Sequence, residues 1–207
     1  MSTEVTFDVD GVRLSGALTE PVGPLPVVVF AHGSGSGRFS PRNRLVAELL
    51  QDAGLGTLLF DLLAAAEEGD RSLVFDIPLL ACRLLEVTAQ LRERASSIAY
   101  FGASTGAAAA LHAAAEKGND VSAVVSRGGR PDLAGSRLSM VRAPTLLLVG
   151  SLDTAVIELN RQAAQLLECE HTVEIVPGAT HLFEEPGALA VVAERAREWF
   201  VAHSSGS

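Results

Sequence analysis

The sequence has few cysteines and no long apolar run, and these two absences exclude several classes of protein. Its two cysteines, Cys82 and Cys169, lie in apolar or helical surroundings and make neither a disulfide framework nor a cysteine-rich metal site. The most apolar stretches, Val27–Ala31 and Ala107–Ala115, are far shorter than the roughly 20 residues that a membrane-spanning helix needs. The sequence therefore predicts neither a disulfide-stapled domain nor a transmembrane segment.

Basic residues are also in the minority. The chain has 16 Lys and Arg residues against 25 Asp and Glu, which gives a formal net charge of −9 and a pI near 5.0. A general nucleic-acid-binding protein needs a basic surface, so this class is excluded. The mean hydropathy of +0.29 and the 48% of hydrophobic residues exclude a disordered chain.

The ends of the chain bear on its location and domain organisation. The N-terminus carries Glu4 and Asp8 where a signal peptide would have a basic and then an apolar stretch, which predicts a cytoplasmic protein. A chain of 207 residues forms one sizeable core more readily than two small ones. We therefore predict a single domain over residues 1–203 and a flexible tail over residues 204–207.

Strand-like and helix-like segments alternate along the chain. Val5–Asp8 and Val12–Leu18 alternate apolar and polar residues around Asp10-Gly11, which predicts a β-hairpin. Continuous apolar or β-branched runs, typical of strands buried on both faces, follow at Val27–Ala31, Thr57–Leu62, Ile98–Phe101, Val121–Val125, Thr145–Val149 and Thr172–Val176. Helical patterns separate them at Pro41–Ala53, Ile77–Arg94, Thr105–Lys117, Ala155–Leu167 and Ala188–Ala202. Repeated β-α-β units predict an α/β fold whose mainly parallel sheet has helices on both faces.

A Gly-x-Ser-x-Gly motif falls at the carboxyl ends of the predicted strands, where such sheets bind ligands. Gly102, Ser104 and Gly106 lie between the apolar run Ile98–Phe101 and an alanine-rich helical segment. In a nucleophile elbow the serine occupies a sharp strand-to-helix turn, and the residues two before and two after it must be small. We predict that Ser104 is a catalytic nucleophile rather than an ordinary loop serine.

A serine nucleophile needs a general base, and the base needs an orienting carboxylate. Among the five histidines, His181 follows the last predicted strand and precedes the last helix, at the catalytic edge. Asp153 follows the preceding strand, and Ser, Asp, His is a known chain order for such triads. Asp132, after an earlier strand, is the alternative acid, and Asp153 also fits the N-cap of the helix behind it.

Acyl transfer also needs hydrogen-bond donors aimed at the developing oxyanion. We predict the backbone N–H of Thr105, next to the nucleophile, and the N–H of Ser34 in the loop after the first parallel strand. Gly33 and Gly35 are alternative donors, and as substrate-binding residues they let the backbone approach the substrate closely. His32 is expected to hydrogen-bond within this loop rather than take part in the chemistry.

The same glycine-rich loop has a competing interpretation as a phosphate cradle at a helix N-terminus. A dinucleotide-binding fingerprint would need a third glycine at the position of Arg38, and no Gly-Lys-Ser/Thr of a Walker A motif follows. The sequence thus disfavours a nucleotide cofactor. The predicted chemistry requires no cofactor and no metal ion.

Four segments together resemble the α/β-hydrolase superfamily, in particular its dienelactone-hydrolase-like group: His32–Ser36, Gly102–Gly106, Asp153 and Gly178–Phe183. The resemblance runs from about Val27 to Phe200 and implies an eight-stranded, mostly parallel sheet whose second strand is antiparallel. Dienelactone hydrolase itself uses a cysteine nucleophile, whereas the motif here holds a serine, so a serine carboxylesterase is favoured. Residues 125–144 leave too little chain for the helical lid of many relatives, which predicts an open pocket.

Arginines are concentrated at the same edge, at Arg38, Arg42, Arg44, Arg127 and Arg130. In an acidic chain, Arg127 and Arg130 are candidates to bind a substrate carboxylate through bidentate hydrogen bonds. The alternative is that they are loop arginines paired with neighbouring carboxylates, such as Asp132, Glu67 or Glu68.

The sequence therefore predicts a serine hydrolase that cleaves small carboxylic esters or lactones through an acyl-enzyme intermediate. The same triad also serves acyl transfer to another acceptor and carbon–carbon bond hydrolysis, and a non-catalytic binding protein could retain the fold. The predicted partner is a small-molecule ester or lactone. No nucleic-acid or membrane partner is predicted, and the oligomeric state is left open.

Overall fold

The computed structural model describes residues 2–67 and 69–204, within which the strands form one eight-stranded sheet. The strands are β1 (Thr3–Val9), β2 (Val12–Thr19), β3 (Val27–Ala31), β4 (Gly56–Phe60), β5 (Ile98–Ala103), β6 (Val124–Arg127), β7 (Thr145–Gly150) and β8 (His171–Val176). Their order across the sheet is β1-β2-β4-β3-β5-β6-β7-β8. Strand β2 runs antiparallel to β1 and β4, and the other neighbouring pairs are parallel. The predicted fold class, with its antiparallel second strand, is confirmed.

The turn of the opening hairpin follows from its two residues. Asp10 and Gly11 have φ angles of 47° and 78° between β1 and β2. A two-residue hairpin turn that matches the twist of its strands needs positive φ at both positions, and Asp-Gly adopts this backbone at low cost. The sequence thus closes the hairpin locally and supplies the antiparallel edge of the sheet.

Helices cover both faces of the sheet and connect its parallel strands. They are α1 (Pro41–Asp52), α2 (Arg71–Val74), α3 (Ile77–Leu91), α4 (Thr105–Ala114), α5 (Thr154–Ala164) and α6 (Ala188–Ala202), and a 3-10 segment spans Pro131–Met140. Helices α1 and α6 pack together, as do α3 and α4. Helix α2 and the 3-10 segment were not predicted, because one is too short to show a helical period and the other is broken at Gly135.

Alternate residues of β3 contribute to two separate hydrophobic cores. Val27, Val29 and Ala31 are buried with the side chains of α3 and α4. Val28 and Phe30 are buried on the opposite face with those of α1 and α6. Complete burial of an aliphatic or aromatic side chain contributes roughly 1.5–3 kcal/mol each. The continuous apolar run in the sequence is therefore explained by a strand covered on both faces.

Strand β6 differs from its predicted bounds at its start. The apolar run predicted a strand from Val121, whereas pairing with β5 begins at the register of Val124 with Tyr100. The N–H of Val121 instead donates to the carbonyl of Asn119 at 3.0 Å, in a tight turn that delays the strand. The apolar side chain of Val121 is buried all the same, which explains the misleading pattern.

The connection from β6 to β7 contains only short 3-10 turns over Pro131–Met140, so this connection carries no helical lid domain, as predicted. Within the described residues, no helix is both long and apolar enough to span a membrane. Ser204, the first residue of the predicted tail, donates through its N–H to the carbonyl of Val201 at 3.3 Å. Residues 205–207 of that tail lie outside the described residues.

Candidate active site

Ser104 lies between β5 and α4 in a backbone conformation that residues other than glycine rarely adopt. Its φ is 51° and its ψ is −121°. Such a conformation costs on the order of 1–3 kcal/mol. The turn closes because its flanking glycines lack side chains: a Cβ on Gly102 would lie 2.8 Å from the nitrogen of Ala107, and one on Gly106 would collide with the carbonyl of Ala31. The structure thus has the strand, turn and helix that the motif predicted.

His181 and Asp153 meet at the same edge of the sheet, although 28 residues separate them. The Nδ1 atom of His181 lies 2.6 Å from Oδ2 of Asp153. An ionised carboxylate only accepts hydrogen bonds, so Nδ1 carries the proton and donates it, which leaves the Nε2 lone pair free to act as a base. Asp153 stands at the N-cap of α5 but makes no capping bond with its side chain. Its carboxylate therefore orients the imidazole.

The end of β6 connects the serine turn to the histidine loop. The N–H of Ser104 donates to the carbonyl of Arg127 at 3.3 Å, and the carbonyl of Ser104 accepts from the N–H of Arg130 at 3.1 Å. Between those two arginines, Gly128 lies against His181, because a Cβ there would be 3.0 Å from the carbonyl oxygen of the histidine. Ser104 and His181 are thus both anchored on one short segment after β6.

The loop that carries His181 is fixed on both sides of the imidazole. Thr180 donates from its N–H and its hydroxyl to the carboxylate of Glu185, at 3.1 and 2.6 Å. The hydroxyl bond is the main reason that the pKa of Glu185 lies below its usual value. Phe183 is fully buried and has a φ of 56°, so its ring anchors a tight bend. These contacts restrict the position of the candidate base.

The alternative acid, Asp132, is engaged elsewhere. Its two carboxylate oxygens accept from Nε and Nη2 of Arg130, at 2.9 and 2.8 Å. This bidentate hydrogen bond raises the pKa of Arg130. The structure therefore brings Asp153, and not Asp132, to His181. Arg130, which the sequence predicted as a substrate-binding residue, instead pairs with Asp132 in its own loop, as the alternative interpretation proposed.

His32 holds the glycine-rich loop that follows β3. Its Nε2 accepts from the N–H of Leu62 at 2.9 Å, and its Nδ1 lies 3.0 Å from the carbonyl of Gly33. Since Nε2 accepts, Nδ1 carries the proton and donates to that carbonyl. The expected hydrogen bonding of His32 within its loop is thus present. Gly33 lies directly against the nucleophile turn, because a Cβ on it would be 3.1 Å from the Cβ of Ser104.

The two predicted oxyanion donors are adjacent in the structure. The N–H of Ser34 donates to the side-chain oxygen of Thr105 at 2.9 Å, a contact that bridges 71 positions of the sequence. Thr105 is the first residue of α4, so its own N–H is among the four that an α-helix leaves without an intrahelical partner. Gly35 follows with a φ of 68° at the open side of the loop.

A cavity of about 760 Å³ adjoins these groups. One wall is the glycine-rich loop, which contributes Gly33, Ser34 and Gly35; the facing wall is the loop after β4, residues 61–65. Arg38, Arg42 and the 65% exposed ring of Phe39 line its rim. The cavity is open and of a size that fits a small molecule.

The support of the wall after β4 is not evident from the sequence. Glu67 forms a bidentate ion pair with the buried Arg83 of α3, with both bonds at 2.7 Å. Arg83 also donates to the carbonyl of Leu62 at 3.0 Å, and the N–H of the same Leu62 donates to His32. This pair therefore fixes the wall of the cavity and, through Leu62, the glycine-rich loop. Sixteen positions separate its members, too far for a local pattern.

Arg127, the other arginine predicted to bind substrate, is buried beside the histidine loop. Only 7% of it is exposed, and it does not line the cavity. Its guanidinium lies 3.4 Å from the carbonyl of Leu182 and 3.5 Å from Oδ1 of Asn43, and its Nε has no partner among the described residues. Burial and, to a smaller degree, the charge of Arg42 lower the pKa of Arg127 to about 10.

Among residues 2–67 and 69–204, no cluster of three or more His, Cys, Asp or Glu side chains is arranged to hold a metal ion.

Comparison with known proteins identifies the family. The family model described as alpha/beta hydrolase domain matches residues 24–197, and the chain belongs to this family. A solved structure described as dienelactone hydrolase from Anabaena variabilis is 52% identical with a TM-score of 0.94, and the match covers 98% of both chains. The chain is thus a dienelactone-hydrolase-like member of the family, as the resemblance of its motifs predicted.

Other relatives carry different names. Est1E from Butyrivibrio proteoclasticus is 17% identical with a TM-score of 0.81, covering 97% of this chain and 98% of that one, a likeness of fold alone. Two proteins from strains of Mycobacterium tuberculosis, provisionally named phosphoribosyl transferases, are 55% identical over 207 residues. The match covers 98% of this chain and 47% of each relative, so the chain spans about half their length.

Proposed function

We propose that the protein is a serine hydrolase that cleaves small carboxylic esters or lactones through an acyl-enzyme intermediate. The observation that carries this proposal is the 2.6 Å hydrogen bond between Asp153 and His181 at the sheet edge that also presents Ser104 on a strained turn. An imidazole oriented by a carboxylate activates the serine nucleophile of known triads, and the half-buried Ser104 lies at the same edge of the sheet.

The proposed reaction has two halves. In the first, Oγ of Ser104 attacks the substrate carbonyl while Nε2 of His181 takes its proton, and Asp153 stabilises the imidazolium that forms. The N–H of Thr105 and the loop that contains Ser34 supply hydrogen bonds to the oxyanion. His181 then protonates the leaving alcohol. In the second half it removes a proton from water, which attacks the acyl-enzyme, and it returns this proton to Oγ of Ser104 as the acid leaves.

Small substrates fit this site better than long-chain lipids. The cavity of about 760 Å³ is open, and the connection from β6 to β7 carries no lid that would cover a large apolar surface. A serine in the nucleophile position also favours ester hydrolysis over the cysteine chemistry of dienelactone hydrolase itself. The ester or lactone class, the triad and a cytoplasmic location are the predictions that the sequence contributes to this proposal.

The test is covalent labelling combined with turnover. The unmodified protein is expected to hydrolyse p-nitrophenyl acetate and to react with a fluorophosphonate probe at Ser104, identified by mass spectrometry of the labelled peptide. Ser104→Ala should keep its circular dichroism spectrum and lose both reactions, because the attacking oxygen is gone. Absence of labelling in the unmodified protein, or turnover in Ser104→Ala, would overturn the proposal.

A second candidate is acyl transfer to an acceptor other than water, which the same acyl-enzyme would allow; the phosphoribosyl transfer named for the Mycobacterium tuberculosis relatives is a different reaction. This chain matches 47% of the length of those relatives. We therefore assign the activity in their names to the part of those proteins that this chain does not match. Product analysis with p-nitrophenyl acetate and an added alcohol or amine distinguishes the two: hydrolysis gives acetate alone, whereas a transferase gives the new ester or amide in proportion to acceptor.

A further inference from the structure

The hydroxyl of Thr105 lies where the proposed reaction needs a second hydrogen-bond donor to the oxyanion. Its oxygen accepts the N–H of Ser34 at 2.9 Å, so in this structure that N–H is already used and points at Thr105. Thr105 is 4% exposed, and it nevertheless lines the cavity beside the nucleophile turn. The side chain therefore bridges the glycine-rich loop and the turn that carries Ser104.

The hydroxyl proton of Thr105 has no protein acceptor among the described residues. A threonine hydroxyl carries one proton and two lone pairs, and one lone pair receives the Ser34 N–H. Among the described residues, the hydrogen bonds of Thr105 Oγ1 comprise only that accepted bond. A substrate oxygen that enters the cavity can therefore accept this proton.

The geometry of the helix start brings both donors of Thr105 to one place. At the first position of α4, directly after Ser104, its N–H has no intrahelical partner. In the proposed reaction the oxyanion is the former carbonyl oxygen, bonded to the carbon that Ser104 attacks, and it needs a donor such as this N–H. The hydroxyl oxygen of the same residue is three bonds from that nitrogen, and Thr105 lines the cavity.

We propose that the hydroxyl of Thr105 is a catalytic donor that hydrogen-bonds the oxyanion, and that Ser34 acts through it. The N–H of Ser34 donates to Oγ1, which polarises the hydroxyl and strengthens the bond that it donates in turn. Thr105 then supplies two donors, its N–H and its O–H, and Ser34 becomes a positioning residue rather than a direct oxyanion donor. This inference rests on the proposed hydrolase function and changes the identity of its second donor.

Substitutions at position 105 test the inference. Thr105→Val keeps the branched shape without the hydroxyl, and Thr105→Ser keeps the hydroxyl without the methyl group. Loss of one oxyanion donor lowers kcat by about 100-fold to 1,000-fold. We expect that loss in Thr105→Val with little change in KM, and recovery of most of kcat in Thr105→Ser. Thr172→Val, at an exposed threonine of β8, is the matched control for a threonine-to-valine change.

A transition-state analogue separates a catalytic from a merely structural role. Ser104 adds to the carbonyl of a trifluoromethyl ketone, and an oxyanion forms. Binding of the product acid forms none. Thr105→Val should weaken binding of the ketone by about 100-fold and hardly change binding of the product acid, because only the oxyanion loses its donor. Parallel weakening of both ligands, a kcat that falls less than about tenfold, or a failure of Thr105→Ser to recover activity would overturn the inference.

The outcome for the unmodified protein keeps the two proposals distinguishable. If it shows no turnover of p-nitrophenyl acetate and no fluorophosphonate label at Ser104, the proposed hydrolase function fails and this inference falls with it. If the unmodified protein is active and Thr105→Val matches its kcat, the hydrolase function stands and only the role of Thr105 is overturned. Thermal unfolding of each variant confirms that the compared proteins are folded.

Discussion

The carboxylate of Asp153 lies 2.6 Å from Nδ1 of His181, and within the described residues the Asp153 side chain makes no other hydrogen bond. The carboxylate is largely buried, with 15% of its side chain exposed, while 37% of the imidazole side chain is exposed. A buried acceptor holding an accessible imidazole fixes the tautomer and leaves Nε2 open to the nucleophile and the substrate.

Asp153→Asn should lower kcat by about a thousandfold to ten thousandfold with little change in fold, because an amide can turn its NH₂ group toward Nδ1 and stabilise the wrong tautomer. Steady-state hydrolysis of p-nitrophenyl acetate measures the effect. Asp132→Asn is the control: its carboxylate holds Arg130 and not His181, so its kcat should stay close to that of the unmodified protein. The assignment of the acid is wrong if Asp132→Asn is the more damaging of the two.

The strained turn at Ser104 predicts an unusual order of stability. With φ of 51° and ψ of −121°, glycine fits this position better than alanine or serine. Ser104→Gly should therefore exceed Ser104→Ala in its free energy of unfolding by about 1 kcal/mol, as measured by urea denaturation. At Ser72, in the helical backbone of α2, the order should reverse, because glycine is there the poorer residue. The same order at both positions would argue against strain at the nucleophile.

Much of this site follows from the sequence because each element is encoded locally. The glycines around Ser104 encode the turn, the apolar runs encode the strands, and the position of Asp153 and His181 after two late strands brings them to one edge. The relationships that the sequence does not reveal are contacts between distant segments. Neither the bond from Ser34 to Thr105 nor the burial of Arg127 leaves a periodic or local pattern.

The choice between Asp153 and Asp132 shows where sequence reasoning reaches its limit. Both residues follow strands, and strand order alone does not say which carboxylate faces the imidazole. The structure separates them because Arg130, two positions before Asp132, captures that carboxylate in a bidentate bond. A local pair of opposite charges therefore removes one candidate from the site.

The burial of Arg127 predicts a stability cost at neutral pH. Its pKa is about 10 in the folded protein, below its ordinary value, so the unfolded chain binds its proton more tightly. The charge therefore destabilises the fold below pH 10, and stability is regained only as pH rises above about 10. Arg127→Met should raise the free energy of unfolding at pH 7 by about 1–3 kcal/mol, since it replaces a buried guanidinium, which has no ion-pair partner among the described residues, with an apolar chain.

Urea denaturation at pH 7 measures this effect, with Arg130→Met as the control. Arg130 is 38% exposed at its side chain and paired with Asp132, so its removal should bring no gain in stability. A lower urea midpoint for Arg127→Met would show that its contacts to Leu182 and Asn43 outweigh the cost of burying the charge.

The ion pair of Glu67 with Arg83 predicts a loss of stability in acid. The hydrogen bond from Arg83 is the main reason that the pKa of Glu67 lies below its ordinary value of 4.5. Stability from this pair is therefore fully present above pH 4.5 and is lost as pH falls through the lowered pKa of the folded protein. Glu67→Gln should be less stable than the unmodified protein at pH 7, and the difference should shrink below pH 4.5.

A double-mutant cycle with Glu67→Gln and Arg83→Met isolates the interaction. The expected coupling free energy is about 1–3 kcal/mol at pH 7 and smaller at low pH. The pair Arg197 and Glu194 on α6 is a matched control at the exposed surface, where coupling should be weak. A coupling of Glu67 and Arg83 that is independent of pH would contradict the ionic account.

If the substrate carries a carboxylate, the structure favours a different arginine from the two that the sequence proposes. The sequence proposes Arg127 and Arg130, whereas the structure shows Arg42 at the rim of the cavity, 31% exposed at its side chain and bound to the 62% exposed Glu184 at 2.9 Å. A substrate carboxylate can displace an exposed partner such as Glu184 at low cost, because exposed ion pairs contribute little. It cannot easily displace Asp132 from the bidentate bond with Arg130.

The measurement is kcat/KM for an ester that bears a free carboxylate, divided by kcat/KM for its neutral isostere. We expect Arg42→Ala to lower this ratio and Arg130→Ala to leave it unchanged. Arg127→Ala should affect both esters alike, since its guanidinium faces Leu182 and Asn43 rather than the cavity. A ratio lowered by Arg130→Ala or Arg127→Ala but not by Arg42→Ala would instead support the arginines that the sequence proposed. The neutral ester serves as the internal control, because a general loss of activity cancels in the ratio and only recognition of the charge remains.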